Sequence, residues 1–195
     1  MTRALKNRAR VLLDLDDTGF PKKGKHSVGV ARQYCGQVGK QDNCQVAVSL
    51  SLASERGSVP MARRLYLPQE WADDKPRRAK AGVLEEVEFA TKLEIAQAQI
   101  RAAKTAGVPE GVVLTDAAYG NDTAFREALN AMQLSYCVGV QSSTTVWTGG
   151  DRPQRPEEKK KRGRGRPATR LVRDPHRPPL LQKKWRCRCH RALAR

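Results

Sequence analysis

Cys44–Ala53 alternates strictly: Cys44, Val46, Val48, Leu50 and Leu52 fall on one side, and Gln45, Ala47, Ser49 and Ser51 on the other. A period of two predicts a β-strand with one face buried. Val11–Asp16 is a shorter apolar run that ends in acids, and it predicts a strand before this one. Between them Gly19, Pro21, Gly24, Gly29, Gly36 and Gly39 predict loops or a hairpin. Val59–Leu67 predicts a third strand, closed by Pro68, and the charged stretch Gln69–Gly82 a loop with a helical turn.

From Thr91 the period lengthens. Leu93, Ala96, Ile100 and Ala103 recur at helical spacing, and Thr91 with Glu94 forms a T-x-x-E capping box. Gly107 and Pro109 stop this helix after Ala106. Gly111–Asp116 predicts a strand, Asn121–Gln133 a helix with Phe125, Leu129 and Met132 on one face, and Ser135–Val140 a final strand. Three strands followed by helix, strand, helix, strand predict an α/β fold, a mixed sheet flanked by helices.

Two positions carry candidate chemistry. Asp16 and Asp116 each end an apolar strand-like run, and each is followed by small residues. Acids at the ends of neighbouring strands converge, and two facing carboxylates raise each other's pKa unless a cation sits between them. A hard divalent ion such as Mg²⁺ takes a few carboxylates together with water and phosphate oxygens. Such ions activate a water and stabilise the leaving oxygen in phosphodiester cleavage. The plainer reading is that each Asp caps the turn that follows it.

Charge then divides the chain of 195 residues, whose net charge is +17. Residues 1–150 hold 20 basic and 16 acidic side chains, whereas residues 151–195 hold 17 and 4, together with six of the eleven prolines. The boundary near Gly149-Gly150 separates a globular part from an extended, disordered basic tail. Aromatic residues are only 5%, too few for a platform that stacks single-stranded bases. The longest apolar runs, such as Val112-Val113-Leu114, are too short to cross a bilayer, and the N-terminus lacks a signal-peptide stretch. Membrane insertion and secretion are therefore set aside in favour of the cytoplasm, in association with the nucleoid. Cys187-x-Cys189-His190 is too compressed for a zinc knuckle. The five cysteines read as free thiols, with Cys35, Cys44 and Cys137 as small hydrophobes in or near strands.

A long segment adds a resemblance. Asp16-Asp17-Thr18-Gly19-Phe20-Pro21-Lys22-Lys23-Gly24-Lys25-His26-Ser27-Val28-Gly29-Val30-Ala31-Arg32-Gln33-Tyr34 resembles the surroundings of the first catalytic acid in bacterial insertion-sequence transposases, those of the seven-oh-one group of DDE-superfamily endonucleases. Asn43–Ser49, Arg64–Pro68, Trp71–Asp74 and Thr115-Asp116-Ala117-Ala118-Tyr119-Gly120 continue it, from about Leu13 to Trp147. The resemblance implies an RNase H-like fold with Mg²⁺ (or Mn²⁺) held by three acids. It also implies transposition chemistry on double-stranded DNA, at the element's ends and at the target, by a possible homo-oligomer. The first acid belongs on the first strand and the second on the fourth. Related transposases carry acid-x-Thr at the first site, which selects Asp16, with Thr18 two residues on. Asp17 stays as the alternative, because a one-residue shift of register exchanges their faces.

The third acid of that family, a Glu in a later helical segment, has no counterpart here. Glu157 and Glu158 sit in a solvated charged run, and Glu127 comes too early. Only 15 residues precede Asp16, and the resemblance fades after about Pro179, so the chain reads as truncated at both ends, its terminus degenerate or frameshifted. Alone it is expected to have little or no strand-transfer activity. A non-catalytic DNA-binding remnant is the rival reading, and a ribosomal or nucleoid-type structural protein is a second rival, suggested only by the charge. Arg162, Arg164 and Arg166 lie in a strip with the Arg-Gly-Arg-Pro core of a minor-groove hook. Lys22, Lys23, Lys25 and Arg32 follow the first acid and are candidates to hold backbone phosphates, or else form an exposed charged loop. His26 in that loop reads equally as a phosphate donor or a surface residue, and Tyr119 as stacking or packing.

Overall fold

The computed structural model of the chain describes residues 11–146 and the short strand Leu180–Leu181. Two units are present, one ending at Gly139 and the other beginning at Val140. The first is built around β1 (Leu12–Pro21), whose alternation buries Leu13 and Leu15 and exposes Asp14 and Asp16. On one side β1 pairs antiparallel with the long strand β3 (Lys40–Ser54), with Asp16 opposite Ser49. On the other it pairs parallel with β5 (Val112–Thr115), which pairs parallel with β6 (Tyr136–Val138).

The outer edge of β3 is shared by two short strands. β2 (Ala31–Cys35) takes Lys40–Cys44, and β4 (Gly57–Leu65) takes Ala47–Ser54 with a register shift at Leu50/Ser51. The six strands thus run β2-β3-β1-β5-β6, with β4 also on β3. Antiparallel strands joined by turns come first, and parallel strands joined through helices follow. This is the RNase H-like α/β arrangement, a mixed sheet flanked by helices.

Helices α3 (Lys92–Thr105) and α5 (Thr123–Ala131) cover the face that carries Leu13, Leu15, Val48, Leu50 and Val113. Ile95 and Ile100 of α3 and Phe125 and Leu129 of α5 are fully buried against it. Each such side chain contributes about 1.5–3 kcal/mol of transfer free energy. The capping box of α3 is formed: Thr91 Oγ1 accepts from the Glu94 amide at 3.2 Å, and Glu94 Oε2 accepts from the Thr91 amide at 2.8 Å. The chain leaves α3 through Gly107, whose φ of +74° only glycine adopts without strain.

Three local readings change. Ala31–Cys35 and the start of β3 form the hairpin that the glycines allowed, and this extra strand puts Asp116 after the fifth strand and not the fourth. Gln69–Gly82 holds two short helices, α1 (Gln69–Asp73) and α2 (Lys75–Lys80), the second capped by Asp74, which accepts from the Arg77 amide. They form a smaller core in which Trp71 is fully buried and donates from Nε1 to the Val30 carbonyl at 2.7 Å. Cys137 on β6 is exposed rather than packed, while Cys35 and Cys44 are buried as expected. In the second unit β7 (Thr145–Val146) pairs antiparallel with β8 (Leu180–Leu181). The proposed boundary near 150 and the basic strip lie outside the described residues.

Candidate active site

The register between β1 and β5 brings the two acids together. Leu15 stands opposite Thr115, so the next positions on the two parallel strands are Asp16 and Asp116. Asp116 keeps an extended backbone (φ −79°, ψ −173°) before the chain turns into α4 (Ala117–Gly120), so the pleat continues through it. Both residues are exposed, on the face opposite the helical core. Asp116 also caps α4, accepting from the Ala118 amide at 2.9 Å. The capping role and the pairing with Asp16 coexist, because a carboxylate has two oxygens to share.

Partial burial raises the Asp16 carboxyl above the ordinary aspartate value, although its outer edge meets solvent. A hydrogen bond from the Asp17 amide lowers it, and the charge of Asp116, then those of Asp17 and Asp14, raise it again. A crowded, partly desolvated carboxylate pair has the chemistry of a site for a hard cation with oxygen ligands. Among the described residues no group of three or more His, Cys, Asp or Glu side chains is placed to hold a metal ion.

Asp17 points the other way, toward the helices, as alternation requires. Lys92 Nζ of α3 lies 2.7 Å from its Oδ2, and the Tyr119 hydroxyl of α4 donates to its Oδ1. Burial, and then this bond to Asp17, push the Tyr119 hydroxyl far above its ordinary pKa, so it remains a donor. Tyr119 therefore neither stacks on a base nor merely packs; it ties the turn after Asp116 to the strand that carries Asp16. Lys92 also lies over the Tyr66 ring, 5.5 Å from its centroid. The sequence carried no local sign of these bonds, which join residues 75 and 102 positions apart.

The basic candidates are set apart from the acids. Lys22, Lys23, Lys25 and His26 form an exposed loop after the end of β1, and Arg32 is exposed on β2. Six strand positions separate Lys22 from Asp16, about 20 Å at the usual rise. Asn43 holds the loop's backbone, donating from Nδ2 to the carbonyls of Lys22 at 2.6 Å and Gly24 at 2.9 Å. Arg77 donates to the Lys25 carbonyl at 3.1 Å. Arg162, Arg164 and Arg166 lie outside the described residues.

The chain matches the DDE superfamily endonucleases over residues 1–193, beyond the point near Pro179 where the motif resemblance fades. It belongs to that family. Among curated proteins, this DDE-family chain is similar to the probable transposase for insertion sequence element IS701 of Microchaete diplosiphon, at 33% identity over 145 residues. The aligned part covers 74% of this chain and 35% of that protein, so the chain spans about a third of the relative's length. No solved structure matches it. Among its described residues no helix is long and apolar enough to cross a membrane.

Proposed function

We propose that this chain acts on double-stranded DNA in the transposition of an insertion sequence, with Asp16 and Asp116 as the first two acids of its cleavage and strand-transfer site. The observation that carries the reading is that Asp16 and Asp116, 100 residues apart in sequence, are exposed residues directly after the last pair, Leu15 and Thr115, of two parallel strands. Asp16 is preferred to Asp17, because Asp17 is engaged by Lys92 and Tyr119 on the opposite face.

The two carboxylates would hold Mg²⁺ or Mn²⁺, which when bound activates a water or a DNA 3′-hydroxyl and offsets charge on the reacting phosphate. The chain's own residues do the rest. Asp16 and Asp116 present oxygens at a fixed spacing. The Tyr119–Asp17 bond holds the two segments in register. The Lys22–Lys25 loop and Arg32 attract backbone phosphates well away from the cut, an attraction that salt weakens. The basic strip at Arg162, Arg164 and Arg166 would add to that hold, and the chain would work in the cytoplasm at the nucleoid, where its DNA is.

A second reading follows from the count of acids. With no third acid grouped with Asp16 and Asp116 among the described residues, where the resemblance implies three, the chain would be a DNA-binding remnant that holds DNA without cutting it. Cleavage and strand transfer on duplexes carrying the element's own ends, with Mg²⁺ and beside Asp116→Asn, separate the two. Cleavage that disappears in the variant supports the catalytic reading, with a third ligand supplied from outside the described residues or by a second copy. Salt-sensitive binding without cleavage supports the remnant.

A further inference from the structure

On the face that carries the acid pair, one cation is held close by. Asp16 pairs with Ser49 across β1 and β3, and Ser49 pairs with Arg63 across β3 and β4. Residues opposite one another in an antiparallel ladder share a face, so Asp16, Ser49 and Arg63 form a row across three strands. Two strand spacings put the backbones of Asp16 and Arg63 about 10 Å apart. That is roughly half the separation estimated for Lys22.

The Arg63 side chain leans along this row. Its Nε donates to Ser49 Oγ at 3.1 Å, and Ser49 Oγ lies 3.3 Å from Thr18 Oγ1, so the two hydroxyls also meet. Ser49 is buried, and Arg63 is exposed. Nε is thereby used up on the protein, whereas the outer fork of the guanidinium makes no ion pair with an Asp or Glu among the described residues. An exposed arginine anchored through Nε keeps its paired Nη groups for bidentate contact with an oxyanion. The strand pairing fixes its distance from the acids, which a flexible lysine loop does not do.

We propose that Arg63, oriented by Ser49, is a phosphate-positioning residue: it clamps the non-bridging oxygens of a second phosphate on the DNA strand whose reacting phosphate lies at Asp16 and Asp116. The assignment rests on the DNA-cleaving face proposed above. It adds a second fixed point on the strand, and so a direction for the DNA backbone across the sheet from β5 toward β4.

The full chain is tested by binding to a duplex carrying the element's end, across a salt series, with each backbone phosphate near the end neutralised in turn as a methylphosphonate. Arg63→Ala is compared with Arg63→Lys and with Arg56→Ala, an exposed arginine in the β3–β4 turn. In the wild type, one phosphate near the cut is expected to weaken binding about tenfold when neutralised, and Arg63→Ala is expected to lower the salt slope by about 0.9, one phosphate contact. The same neutralisation then costs Arg63→Ala nothing further, while Arg63→Lys keeps the slope but loses the preference for that position. If every phosphate retains its wild-type effect in Arg63→Ala, or if Arg56→Ala matches it, the proposal is overturned. A wild type that does not bind the duplex overturns it together with the functional reading. Binding with the expected coupling but without cleavage in Mg²⁺ upholds Arg63 and removes only the catalytic reading.

Discussion

The Tyr119 hydroxyl donates to the Asp17 carboxylate across 102 residues of sequence, and each partner sits beside an acid of the candidate site. Asp17 follows Asp16 on β1, and Tyr119 lies one helical turn past Asp116. The bond runs on the buried side of the sheet while the acids face out, so it fixes their relative position without occupying the space a ligand needs.

Tyr119→Phe tests that strut. The ring keeps its packing against Phe125, 5.8 Å away between centroids, and only the hydroxyl is lost. Asp17 retains Lys92. Removing a hydrogen bond to a charged group costs about 1.5–3 kcal/mol, to be read from urea unfolding. If stability is unchanged, the bond does not hold the two segments together.

Asp16→Asn is expected to change stability with pH in a defined sense. The folded protein raises the Asp16 pKa, first through burial, so the folded state binds that proton more tightly than the unfolded chain does. Wild-type stability from this group therefore falls as pH rises from the ordinary aspartate range through the raised value. In buffer free of divalent ions, the variant should match the wild type in acid and exceed it at neutral pH. Urea midpoints at about pH 3 and about pH 7 check this, and a variant less stable at neutral pH contradicts it.

Gly120→Ala is expected to be severe. A Cβ at Gly120 would run into the carbonyl oxygen of Gly139 and lie 2.8 Å from the Val138 Cβ, with little room to yield on the backbone side. This close approach of α4 to the end of β6 is what lets the chain turn sharply after Asp116. Overpacking costs about 1–3 kcal/mol, and a clash with backbone belongs at the upper end. Thermal unfolding should show a large drop, and a neutral result would mean that the segments slide apart without cost.

Thr91→Ala should cost about 1 kcal/mol, the usual worth of an N-cap. The reciprocal half of the box adds a pH signature. Hydrogen bonds from the Thr91 amide and hydroxyl lower the Glu94 pKa, so its contribution is present above the ordinary glutamate range and is lost as pH falls through the lowered value. The difference between wild type and variant should shrink in acid, as measured by denaturant titrations over that range.

What could be read in the sequence follows the range of the interaction involved. The capping box of α3 and the alternation of β3 are local, and both appear where the residue pattern puts them. Asp116 follows the end of its strand as its apolar run puts it, whereas β1 runs on past Asp16 to Pro21. β2 was legible only through the hairpin alternative among the glycines, because five residues carry too short a period to mark a strand by themselves. α2 left a sign that could have been read, an Asp cap followed by Pro76 in the first turn. The partners of Asp17, the Asn43 hold on the basic loop and the Ser49–Arg63 contact come only from tertiary folding. No spacing along the chain encodes them.

The parallel pairing of β1 with β5 also bears on the order of events during folding. The strands β1 to β4 close through hairpins and neighbouring turns, whereas β5 must return across about 90 residues to dock beside β1. Contacts so distant in sequence form slowly, because their loop entropy is lost before they give anything back. The acids therefore become neighbours only after the antiparallel half has formed and the fifth strand has been synthesised. A growing chain on the ribosome carries Asp16 well before Asp116, so the two stand side by side only once nearly all of the first unit exists.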